Sequence, residues 1–134
     1  MAAFSNFLED KVLDHLFGGT PYVAPSTLYI ALFLADDGLE SGIITSEVSG
    51  NAYARVSVDP ATDMGAASSG SIANINELIF PTASGTWGTV THAAIMDAAV
   101  SGTVLAHGAL TTQKGISAGD TARYAVGELV ITLD

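Results

Sequence analysis

The stretch from Trp87 to Thr112, WGTVTHAAIMDAAVSGTVLAHGALTT, leaves the chain few ways to fold. Thr89, Val90, Thr91 and Ile95 on one side, and Val104 and Leu105 on the other, favour strands. Between them Ala98-Ala99-Val100-Ser101-Gly102 breaks the run, and Ser-Gly marks a turn. Two such runs joined by a short Gly-containing loop predict an antiparallel hairpin. Asp97 is its only ionisable group besides His92 and His107. A hairpin this apolar needs a cover on at least one face, so it marks the core of a β-sandwich or barrel.

The flanking sequence supplies the remaining strands and one helix. Residues 4–17, FSNFLEDKVLDHLF, carry Phe4, Leu8, Val12 and Leu16 at i+4 spacing, with Phe7 and Leu13 widening the stripe. Asn6 and Glu9 have capping-box spacing, Ser5 is an alternative cap, and Gly18-Gly19 supply the stop. The stripe predicts a helix laid against the sandwich; a helix that docks on a partner is the alternative. Thr27 to Ala35, TLYIALFLA, is apolar on both alternating sets, which predicts a strand covered on both faces. Asp36 to Gly50 reads as an acidic surface loop, and its aspartate spacing matches no calcium loop. Asn51 to Val58 alternates as a half-exposed strand, and Pro60 to Asn74 is a long loop or weak edge strand. Ile75 to Phe80 is a short strand, Gln113 to Asp120 falls in a connection, and 121–133 forms the last strand, with Gly127 marking a bulge or close backbone approach. The expectation is a mainly-β chain: one domain over residues 1–134, a single antiparallel β-sandwich of jelly-roll-like form, with one N-terminal α-helix at about 4–17.

Charge and composition narrow the function classes. Fourteen acidic residues against four basic ones, Lys11, Arg55, Lys114 and Arg123, give a net charge of -10. Scattered single cations make no basic patch, so no nucleic-acid partner is expected. The longest apolar run, around Leu28 to Ala35, is too short to span a bilayer, and the N-terminal stretch does not read as a signal peptide. The chain has no cysteine, which removes thiolate chemistry and cysteine metal sites. Nearly half of the residues, 49%, are apolar and only 13% are charged, a surface suited to a subunit packed against neighbours.

No catalytic constellation emerges. There is no GxSxG and no Gly-rich loop leading into a helix, and no paired acids sit on a recognisable motif. If Asp97 pairs with Gly102 across the turn, His92 faces His107, and two facing imidazoles with one added carboxylate could hold a metal. No third ligand is identifiable, so two locally hydrogen-bonded histidines are the expectation, with no cofactor and no enzymatic activity.

The blocks KVLDHLFGGTPYVAPSTLYIALF, SGNAYARVSV, FPTASGTWGTVTHAAIMDA, GTVLAHGALTT and GDTARYAVGELVITLD resemble small structural proteins of tailed phages. These relatives are often labelled tail-fibre proteins, and some are similar to capsid cement proteins of jelly-roll type. The resemblance runs over most of the chain and implies a virion component. It implies a cement or decoration protein that binds the major capsid protein on the outer surface of the head, with self-association as a dimer or trimer. The alternative it implies is a tail-fibre or adhesion component that binds the host surface. The loops Asp36 to Gly50, Pro60 to Asn74 and Gln113 to Asp120 are the expected contact regions, with Asp36, Asp37, Leu39, Ile43, Ile44, Met64, Ile72, Lys114 and Ile116 as the candidate contact residues.

Overall fold

The Trp87 stretch folds as the hairpin that its pattern predicts, and the other elements are arranged on it. In the computed structural model, which describes residues 2–133, the elements in chain order are β1 (Ala3–Phe4), α1 (Asn6–Phe17), β2 (Leu28–Phe33), β3 (Val56–Val58), β4 (Ser71–Ala73), β5 (Leu78–Ile79), β6 (Gly88–Met96), β7 (Val104–Ile116), β8 (Arg123–Tyr124) and β9 (Val130–Thr132). The principal sheet is antiparallel, in the order β1-β7-β6-β2-β3. Two short ribbons, β4-β9 and β5-β8, form a second layer. The protein is mainly β, with one α-helix and a sandwich built on one large antiparallel sheet.

The alternation of β2 explains why it is apolar on both sides. Ile30 and Leu32 enter a core shared with Leu78, Phe80, Trp87, Val90 and Leu129, between the principal sheet and the ribbons. Ala31 and Phe33 point the other way, into a second cluster with Leu39, Ala94, Met96 and Val104. The cover on this second face is the 36–48 loop, which carries a short 3-10 helix at Leu39–Ser41.

The hairpin turn depends on Gly102, whose φ is +77°; a Cβ there would stand 2.5 Å from the Asp97 Oδ1 atom. That same oxygen accepts the Thr103 N–H at 2.7 Å. Only glycine accommodates both the left-handed backbone and the close carboxylate.

Several segments differ from the sequence expectation. The helix begins at Asn6, and Ala3–Phe4 form β1 instead. Ser5 is the cap: its extended backbone lets Oγ accept from the Leu8 N–H at 3.4 Å while donating to the Val104 carbonyl at 2.6 Å. The strand expected over 51–58 shortens to Val56–Val58, because Asn51 and Ala52 turn with φ of 53° and 67°. The Gln113–Asp120 connection is partly strand, since β7 runs on to Ile116. The strand expected over 121–133 divides into β8 and β9, which belong to different ribbons. Gly127, at φ +81°, lies in the turn between them, and its N–H reaches the Asn74 carbonyl at 2.9 Å.

Candidate functional site

Three surface regions gather the residues with functional potential: the 36–48 loop, the outer part of α1, and a groove between β7 and β8.

The 36–48 loop folds onto its own carboxylates. Asp36 Oδ1 accepts from the Gly38 and Leu39 N–H groups, both at 2.9 Å. The Leu39 and then the Gly38 hydrogen bond hold its carboxyl below the ordinary value of 3.8, with His92 and His107 adding to the effect. Asp37 Oδ2 accepts from the Thr45 and Ser46 hydroxyls. Glu47 receives the Tyr53 hydroxyl at 2.8 Å and two donors of Arg55, at 2.8 and 2.7 Å. Arg55 also donates to the Ala98 and Ser101 carbonyls, each at 2.7 Å, and so ties the loop to the hairpin turn. Burial and the Glu47 bond raise the Tyr53 pKa well above the usual phenol value. Asp36 and Asp37 thus bind partners within the loop, and Glu47 ties it to Tyr53 and Arg55.

The two histidines do not face each other. His92 lies opposite Ala109, and His107 opposite Ala94. Next to the turn Met96 already pairs with Val104, one residue off the pairing counted from Asp97 and Gly102, and a register shift between Ile95 and Met96 adds a second. His107 Nε2 contacts Glu40 Oε2 at 2.5 Å, while His92 Nδ1 pairs with the Thr91 hydroxyl at 2.8 Å. Among the described residues no group of three or more His, Asp or Glu side chains is placed to hold a metal ion.

The candidate contact residues fall in separate places. Asp36, Asp37 and Ile43 are exposed on the 36–48 loop, and Ile44 is half-buried against the second cluster. Leu39 is a correction: it is 0% exposed, because it plugs the second face of the sheet. Met64 and Ile116 are corrections of the same kind, being buried in the main core, and Ile72 on β4 is half-buried against it. Lys114 is exposed on β7.

The helix stripe, expected to lie against the sandwich, does so only at its start. No residue of α1 is fully buried. Leu8 and Val12 are half-buried, whereas Leu13, Leu16 and Phe17 are 57%, 64% and 82% exposed. Val23, in the connector, is also exposed. The signal for this outer patch was present in the i, i+3, i+4 spacing of Leu13, Leu16 and Phe17, but an apolar stripe does not say which molecule covers it.

The third region follows from an irregularity of the hairpin. Thr91 alone separates Val90 from His92 on β6, while Leu110, Thr111, Thr112 and Gln113 separate their partners on β7. β7 arches here, and a groove of about 760 Å3 opens between it and β8. Buried Leu32, Phe80, Val90 and Ile116 form its floor. Lys114 and Arg123 line it, as do Asp120 and Glu128. The two acids are occupied, accepting from the Ser117 and Ala125 N–H groups. Tyr124 on the groove wall has its pKa pushed up to about 12 by burial, with a smaller effect from Glu128. No helix among the described residues is long and apolar enough to cross a membrane.

A mainly-β sandwich carrying these sequence blocks is a structural protein of a phage virion, of fibre-like kind. The match covers residues 3–132, and the chain belongs to the family described as Podophage GP4 fiber I protein gp80. No curated protein matches it.

Proposed function

We propose that this chain is a non-enzymatic fibre component of the phage particle, held to other virion proteins by surface contacts and presenting a surface to the host. The observation that carries this reading is the family match across residues 3–132. The chemistry of the fold is compatible with it. Asp36 and Asp37 bind partners within the 36–48 loop, and Arg55, held by Glu47, fastens that loop to the hairpin. The reading calls for no cofactor.

A second reading, a cement protein on the capsid surface, draws support from the resemblance of the sequence blocks to cement proteins. It also draws support from the net charge of -10, which suits the outside of a shell away from the packaged genome. In that arrangement the chain bridges copies of the major capsid protein. A ligand that binds only the assembled shell stabilises it by linkage, and bridging several subunits raises the effective concentration of each later contact.

Labelling purified virions with an antibody to this chain, and counting its copies against the major capsid protein, separates the two. Label confined to fibres in few copies is the expected result. Label spread over the head in lattice-like number would overturn the fibre reading in favour of cement. In the cement case, particles lacking the chain release their genome at a lower temperature than complete ones.

A further inference from the structure

We infer that the outer edge of β7 pairs with the same edge of a second copy, antiparallel along Thr111–Gly115, so that two principal sheets join into one across a twofold dimer. This goes beyond the fibre reading, because it concerns how copies meet, whichever virion surface they occupy.

The edge is open because β1 covers so little of it. β7 is the longest strand, Val104–Ile116, and β6 lies along one of its sides. On the other side β1 pairs only with Ala106 and His107. Just before β1 the chain departs from β7. The Ala2 N–H goes to the Val130 carbonyl at 2.8 Å, and the Ala2 carbonyl accepts the Thr132 N–H at 2.9 Å, both on β9. Among the described residues no strand pairs with β7 beyond His107 on that side. Thr111, Thr112, Gln113, Lys114 and Gly115 are all exposed, and a Cβ added at Gly115 would meet nothing within 4 Å. Leu110 to Gln113 have no register partner on β6 either, so this part of the strand is the least committed within its own chain. A strand edge of this kind presents its N–H and C=O groups as a template for another strand.

Composition and charge select a second copy as that strand. Proteins usually blunt an edge with proline, several charges or a short strand. The opposite edge of the sheet follows this rule: β3 has only three residues and lies beside β5. The β7 edge has no proline, and Lys114 is its one charged residue between Gly108 and Ile116. Ala98 to Gly119 is also the longest stretch of the chain without an acidic residue. Two copies that each carry a net charge of -10 approach along it with the least repulsion. Asp120 and Glu128 line the neighbouring groove but lie outside the strand, and each accepts a backbone N–H close to it in sequence.

An antiparallel strand is its own complement. One isologous contact occupies both edges at once and closes as a dimer. With Gln113, the midpoint of the exposed run, on the twofold axis, the two Gln113 side chains meet. Thr111 then lies opposite Gly115 of the second copy, and Thr112 opposite Lys114. No carboxylate enters the strand contact, and the two lysines are not directly opposed.

The chain has no cysteine, so a single introduced thiol reads this contact alone. Directly opposed Cα atoms of antiparallel strands are about 4.5–5.5 Å apart, within the span of a disulfide. Mild oxidation of the full chain is expected to link Gln113→Cys into a dimer and to leave Ser26→Cys, an exposed control in the α1–β2 connector, monomeric. Light scattering across a concentration series is expected to show wild type passing from monomer to dimer. Gln113→Lys sets two cations face to face at the axis and is expected to stay monomeric over the same series. Gln113 is exposed, and circular dichroism with thermal melting verifies that both of its variants fold. A wild type that stays monomeric at every concentration overturns the inference. So does a Gln113→Lys variant that dimerises as wild type does, or a Gln113→Cys variant that cross-links no better than the control. None of these results bears on where the virion label falls, so the two readings fail separately.

Discussion

The 36–48 loop and the helix α1 exchange the roles that their compositions suggest. The loop is acidic, rich in Gly and Ser, and reads as solvent-exposed, yet it buries Leu39 completely. The helix carries a regular apolar stripe and reads as a core element, yet it has no fully buried residue. The difference lies in how each segment satisfies its backbone. Asp36 takes the Gly38 and Leu39 N–H groups, backbone carbonyls within the loop take those of Ser41, Gly42 and Ile43, and the Leu32 carbonyl takes that of Val48, so the loop can lie on the sheet with these donors satisfied. The helix satisfies its own backbone and needs the sheet only at its cap, where Ser5 bonds to Val104 and Leu105. Apolar content alone therefore does not decide which segment covers a core face.

The comparison breaks most sharply at Leu39. Leu39→Asp places a charge among Ala31, Phe33, Met96 and Val104. An unpaired buried charge of this kind is expected to cost about 4 kcal/mol or more. Urea unfolding of the purified chain measures it. A loss near zero would mean that the loop does not cover the second face.

A somewhat smaller effect is expected at the other end of the loop. The Arg55 side chain is 3% exposed and pairs with Glu47 at 2.7 Å. Glu47→Ala strands that guanidinium and removes the acceptor of the Tyr53 hydroxyl, for an expected loss of about 3 kcal/mol. The Ala98 and Ser101 carbonyls still hold Arg55, so the hairpin turn is expected to keep its backbone. Amide exchange at 97–103 tests this, and full deprotection there would show that Glu47 also orders the turn.

Acid sharpens the comparison further. The folded pKa of Asp36 lies below 3.8, chiefly through the Leu39 N–H. A depressed folded value contributes stability that is complete above the unfolded pKa and is lost as pH falls through the folded one. Wild type is thus expected to be more stable than Asp36→Asn at neutral pH, with the gap closing only below about pH 4. Thermal melts of the two proteins across that range check the sign, and a gap that widens on acidification would contradict it.

How much of this was legible depended on the range of the interactions. The hairpin and the double-sided β2 were readable because period and turn chemistry are local. The histidine register was not. The turn closes one residue away from the Asp97–Gly102 pairing, at Met96 and Val104, and a second shift between Ile95 and Met96 completes the displacement. The division of the last segment into β8 and β9 depends on Asn74, far away in sequence. Its buried side chain accepts from the Leu129 N–H and donates to the Ala125 carbonyl, clamping the turn at Gly127. Gly127 announced an irregularity there, but not the partner that turns it into a change of ribbon. Leu39, Met64 and Ile116 are candidate contacts in the sequence because they fall in the segments 36–50, 60–74 and 113–120 that read as loops. The burial of each comes from strands distant in the chain.

The smallest expected effect is the one that separates a packed helix from a presented one. Leu8, near the Ser5 cap, is half-buried, and Leu8→Gln is expected to cost about 1–2 kcal/mol through lost apolar contact. Leu16 is 64% exposed two turns later, and Leu16→Gln is expected to stay within about 0.5 kcal/mol of wild type. Glutamine keeps the helix propensity nearly unchanged, so backbone effects do not confuse the pair. Both are measured by urea unfolding at a dilution where the chain is monomeric, because association would add a concentration-dependent stabilisation to wild type alone. Equal losses at the two positions would mean that the whole stripe packs on the sandwich. A gradient from Leu8 to Leu16 means that the first turns of α1 anchor it and the last turn stands clear of the sandwich.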